Sequence, residues 1–162
     1  MKTGKRILLF CALFCVFVTN VNAQQEEEIY NEVKNLMNAA EATASDKSLD
    51  IEERKVACFK YDALYYLLEK GGQTEGFTVY ELGSQANSLI LFVNLYVKRL
   101  SEAKDKKERE IVKAKFKGAT TGNALFNDMD KEYVYAYVDN PGFITQFSID
   151  TNWVSALDEV KK

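Results

Sequence analysis

The sequence predicts an all-α fold: a five- or six-helix up-and-down bundle, or an irregular array of helical hairpins. Three observations lead there. The chain holds one proline, Pro141, and eight glycines, so few positions break a helix. Apolar residues recur at three- and four-residue spacing along most of its length. Two of these periodic runs begin with the Asp/Thr-x-x-Glu pattern that caps a helix N-terminus reciprocally.

The first segment stands apart. Lys2, Lys5 and Arg6 precede an uninterrupted apolar run from Ile7 to Val18, and small residues follow up to Ala23. That order is a secretory signal peptide, cleaved after about Ala23. The run is about a dozen residues, against the roughly 20 that span a bilayer as a helix. The expected working chain is Gln24 to Lys162, one helical domain located in the periplasm or at the cell surface, and not an integral membrane protein.

From Glu28 to about Ala44, Ile29, Val33, Leu36, Met37 and Ala40 share one helical face. Asp50 and Glu53 open a second helix, expected to stop at Gly71-Gly72, where glycine permits a left-handed cap. Its middle, Val56 to Leu68, is apolar on nearly all sides. Thr78 and Glu81 open a third helix, with Phe77 and Leu82 placed as a hydrophobic staple. It runs through Leu82, Ala86, Leu89, Val93, Tyr96 and Leu100. Lys104 to Lys117 forms a fourth helix anchored by Ile111, Val112 and Phe116, with Asp105 and Arg109 spaced to pair. No proline or glycine separates helices three and four, so one continuous helix is the alternative. Tyr133 to Ile149 reads either as a helix or as a β-hairpin turning at Asp139-Asn140-Pro141-Gly142; the helix is preferred. A last helix starts at Asp150 and carries Trp153, Val154, Leu157 and Val160.

Composition closes off much chemistry. The chain has no histidine, which excludes Ser-His-Asp and Cys-His catalysis and histidine-containing zinc sites. Cys11 and Cys15 leave with the leader, and Cys58 alone supports neither a disulfide nor a thiolate cluster. No metal and no cofactor is expected. Losing the three positive charges of the leader takes the formal net charge from −3 to about −6. An acidic chain is a poor partner for nucleic acid, whose binding rests on neutralising phosphates.

Glu52-Glu53-Arg54-Lys55-Val56, leading into Phe59-Lys60-Tyr61-Asp62-Ala63-Leu64, resembles a group of secreted Bacteroidetes proteins. Phe92-Val93-Asn94-Leu95-Tyr96, Leu125-Phe126-Asn127-Asp128 and Gln146 to Trp153 extend the resemblance over most of the chain after the leader. It implies a helical fold and an extracytoplasmic bacterial location, and it implies no activity or catalytic residue. The helix pairs, with Tyr137 and Asn140-Pro141 near a helix end, loosely resemble tetratricopeptide repeats, whose period and signature are missing.

The candidate sites are few. Asp62 interrupts an apolar run, and a buried carboxylate must find a partner or keep its proton. A structural ion pair is the commoner outcome and a functional acid the rarer one. Cys58 in the same helix reads as a small buried hydrophobe. Lys104 to Lys117 carries seven positive and three negative residues, interleaved as on a solvated helix surface. Asn127 to Asp130 fails the calcium-loop pattern, having Tyr133 where glycine belongs. A binding surface is expected among Tyr133, Tyr135, Tyr137, Phe143 and Trp153, or along the polar line of Asn87, Asn94 and Lys98. Core packing is the alternative for most of the aromatics.

The leading expectation is a non-catalytic exported binding or scaffolding protein with a protein, peptide or glycan partner. One rival is a glycan-cleaving enzyme using two carboxylates, with Asp62 and either Asp128 or Asp130 as the nominated pair. The other is a self-associating structural protein.

Overall fold

The structure is a computed structural model that describes residues 4–120 and 151–162, with side chains from Asn22 onward in the first stretch. It is all-α. In chain order the helices are α1 (Gly4–Ser45), α2 (Ile51–Gln73), α3 (Val79–Glu102), α4 (Lys106–Ala119) and α5 (Trp153–Lys161). No strand occurs among the described residues. The helix-or-hairpin question over Tyr133 to Ile149 lies outside them.

The capping chemistry places the helix starts. Asp50 accepts from the backbone N–H groups of Glu52 and Glu53, at 2.7 and 3.2 Å. Thr78 Oγ1 accepts from Glu81 N, and Asn152 Oδ1 from Ser155 N. The α1 backbone begins well before Glu28, because neither proline nor glycine stands between Gly4 and Ser45 to stop it. Its described contacts with other helices nevertheless begin only at Gln25 and Ile29, and the first core residue is Val33. Nothing from Asn22 to Gln24 is buried.

Four expectations are corrected: the end of α2, the pairing of Asp105 with Arg109, the anchoring role of Ile111 and the start of the last helix. Helix α2 does not stop at Gly71-Gly72 but continues to Gln73, capped at Thr74, whose N–H donates to Lys70 O at 2.8 Å. The positive φ of this turn falls on Gly76, at 86°. Gly71 serves close packing instead: a Cβ there would lie 3.2 Å from Phe77 Cδ1. Helices α3 and α4 are separate, as expected, and do not form the single continuous helix of the alternative reading. Asp105 caps α4 through Glu108 N at 2.9 Å, and Glu108 Oε2 accepts from Lys104 N at 2.7 Å. Asp105 is thus a cap, and Arg109 turns back to Leu100 O rather than pairing with it. Of the expected α4 anchors, Phe116 is fully buried and Val112 packs on the core, but Ile111 is 58% exposed. The last helix begins at Trp153 rather than Asp150, with Asn152 as its cap.

Two short turns make α1, α2 and α3 successive antiparallel neighbours, with α2 most extensively packed on α1. Helix α5 lies on α3 and α4. Trp153 sits at the centre of this second layer, edge-on to Phe59 (5.9 Å) and Phe92 (5.6 Å). Phe92 meets Phe116 at 4.9 Å, and Phe116 meets Tyr96 at 5.3 Å. Edge-to-face aromatic pairs each contribute about 0.5–1.5 kcal/mol beyond the area they bury. The start of α5 is pinned by Gln85, buried on α3, whose Oε1 accepts from Trp153 N at 2.7 Å.

Arginines close three helix ends. Arg54 donates to Ala44 O of α1 (2.9 Å), Arg99 to Val160 O of α5 (2.8 Å) and Arg109 to Leu100 O of α3 (3.1 Å). Each puts a cation against the negative pole of a neighbouring helix and satisfies a carbonyl that has no partner inside its own helix.

Candidate functional site

Helices α1 and α3 run the same way, and their register is set at one end. Gln25 meets Tyr80, and Ile29 meets Gly83 so closely that a Cβ on Gly83 would lie 2.8 Å from Ile29 Cγ2. Carried along both helices, the same spacing sets Leu36 opposite Ile90, Ala40 opposite Asn94, and Thr43 opposite Val97. All six line a groove of about 720 Å³, within the roughly 300–1,000 Å³ usual for small-ligand sites.

The groove exists because the side chains around it are short. Ala39, Ala40 and Thr43 form the α1 wall, and Ala57 lies on the α2 floor. They are too small to reach Ile90, Val97 and Leu100 across the gap, so a trough remains where longer residues would have met. The mouth, at the shared end of the three helices, is ringed by Asp50, Glu52, Glu53 and Arg109. Asp50 is engaged as a helix cap, and Glu52 reaches Lys55 at 3.7 Å.

Away from that charged end, one half-buried charged group lines the trough. Lys60, about two and a half turns into α2, donates from Nζ to Asn94 Oδ1 at 3.0 Å. Burial pushes the Lys60 ammonium below the ordinary lysine range. Among the described residues no carboxylate holds it up; a close one would move it the other way. Tyr61, the next residue, is pushed up by burial first, then by the nearby Glu41, Asp62 and Tyr65.

The residues singled out from sequence fall in different places. Asn94 is exposed and lines the groove. Asn87 and Lys98 continue its line along α3 but stay outside, Lys98 reaching Glu102 at 3.8 Å. Trp153 is wholly buried in the aromatic core and offers no surface. Among the described residues its indole N–H has no hydrogen-bond acceptor. Tyr133, Tyr135, Tyr137, Phe143, Asp128 and Asp130 lie outside the described residues. Asp62 is buried, at 3% exposed. Cys58 is half-buried. Among the described residues no acidic or cysteine cluster is arranged to hold a metal ion, and no helix is long and apolar enough to cross a membrane.

Sequence reasoning missed Lys60. The signal was the one that drew attention to Asp62: a charge interrupting the apolar run from Val56 to Leu68. Compared with known families, curated proteins and solved structures, the chain has no match.

Proposed function

We propose that this chain is an exported bacterial protein that works by binding, with its ligand seated in the groove between α1 and α3. The observation that carries the reading is the groove itself: largely apolar walls left apart by short side chains, with a hydrogen-bonded polar pair, Lys60 and Asn94, in its lining. Predominantly apolar walls with a few placed polar groups are the general form of a small-ligand site. A glycan is disfavoured as occupant, since its hydroxyls need many hydrogen-bond partners and these walls supply few. Export is supported by the leader of Met1 to Ala23 and by the resemblance to secreted Bacteroidetes proteins.

Titration of the purified protein with Nile red, an uncharged apolar dye, tests the reading. One saturable site is expected, lost in Thr43→Trp and Val97→Trp, which fill the groove from either wall. Ser155→Trp, on the exposed face of α5, leaves it unchanged. Binding that survives both groove substitutions overturns the proposal.

A further inference from the structure

The polar pair in the groove lining narrows the chemistry of what binds. An ammonium has only donors, so Asn94 must present its carbonyl oxygen to Lys60. The Asn94 amide nitrogen is attached to the same carbon and stands beside that contact. Beyond the bond between them, Lys60 still has two N–H groups and Asn94 has two more. The pair therefore offers a ligand a tight cluster of donors around a half-buried positive charge, and the ligand's polar head must be rich in acceptors.

We propose that the groove takes a single-chain apolar carboxylate, its oxygens accepting from Lys60 Nζ and Asn94 Nδ2 and its hydrocarbon lying along Leu36, Ala40, Ile90 and Val97. This rests on the groove being the ligand seat. Two further facts support it. The Lys60 charge is weakened by burial alone, with no carboxylate of the described residues near enough to sustain it, so an incoming anion supplies the missing counter-charge. The acidic groups of the groove stand at its mouth: Asp50, Glu52 and Glu53 are all exposed. These three carboxylates outnumber Arg109 at that end, oppose an anion placed there and favour the Lys60–Asn94 pair as the seat of a carboxylate head.

Calorimetry with decanoate, decanol and decylamine, each below its aggregation threshold, tests this on the purified protein. Decanoate is expected to bind at least tenfold tighter than decanol, and decylamine more weakly than either. Lys60→Met is expected to remove the preference for decanoate while leaving decanol affinity within about twofold. Asn94→Leu, on an exposed position, reduces the preference without abolishing it. Equal affinity for decanoate and decanol overturns the carboxylate assignment but leaves the groove standing as an apolar site. Tighter binding of decylamine overturns it in favour of the acidic mouth. If none of the three binds or displaces Nile red, the groove reading falls as well.

Discussion

Lys60 on α2 donates to Asn94 on α3 at 3.0 Å, joining two helices at the floor of a trough that neighbouring alanines leave open. The bond is an inefficient way to hold two helices together. Among the described residues it pairs a half-buried charge with a neutral amide, a cost that a hydrophobic pair would avoid. A residue that lowers stability where it stands is a better sign of function than one that raises it.

The cost of burying Lys60 has a measurable sign. The folded-state value of Lys60 lies below its unfolded value, so the unfolded chain binds more protons between the two. Stability therefore rises with pH across that window, and the gain is lost as pH falls through the folded value. Below that window the group is charged in both states and its burial is a net loss. Lys60→Met should raise Tm at pH 7 by about 1–2 °C. It should also flatten the rise in stability on approaching about pH 10.4. Thermal melts from pH 7 to 10.5 check both; a lower Tm at pH 7 would mean Lys60 is structural.

Arg99 is the opposite case. It caps Val160 O at 2.8 Å and lies over the Phe116 ring at 5.6 Å, so one side chain ties α3, α4 and α5 together. Arg99→Ala should lower stability by about 2 kcal/mol, combining a charge-assisted hydrogen bond with a cation–π contact. Arg99→Lys should recover less than half, since an ammonium cannot stack as a planar guanidinium does. Urea unfolding should show a lower midpoint with an unchanged slope.

The α1–α3 register depends on Gly83. In an ordinary helix interior Gly→Ala stabilises by about 1 kcal/mol. Here the new methyl would meet Ile29 Cγ2, which sits on a stiff β-branched side chain. Gly83→Ala should give no gain, or a loss of up to about 1 kcal/mol, in the native background. In an Ile29→Ala background it should stabilise. A double-mutant cycle should show a coupling of about 1 kcal/mol, and additivity would contradict the contact.

Asp105 tests the break between α3 and α4. Asp105→Ala should lower stability by about 1 kcal/mol through loss of the cap to Glu108 N. Asp105→Asn and Asp105→Ser should retain most of it. If the two helices were one, the alanine variant would be neutral or stabilising, because Ala outranks Asp within a helix.

The fold was legible in the sequence where local chemistry decides it. Asp50, Thr78 and the periodic runs behind them gave two helices and their faces, since a cap and a stripe are properties of neighbouring residues. Gly71-Gly72 misled because the end of α2 is decided by Phe77 folding back onto Gly71, a contact made only once the turn is formed. Asp105 offered two partners, Glu108 N and Arg109, and local pattern does not choose between a cap and an ion pair. The groove was the least legible feature. It is defined by what short side chains on α1 and α2 fail to reach on α3, and Ala39, Ala40 and Ala57 read singly as ordinary helix formers. Asn94 was singled out as a polar surface residue, but its partner Lys60 was hidden in a run read as core.

Backbone-amide NMR of the purified protein with decanoate added stepwise tests the central claim most directly. The account predicts saturable shifts at Ala40, Thr43, Ala57, Lys60, Asn94 and Val97, with the aromatic layer around Trp153 and the exposed face of α5 unmoved. Shifts centred on α4 or α5, or none at the groove while decanoate binds, would contradict it.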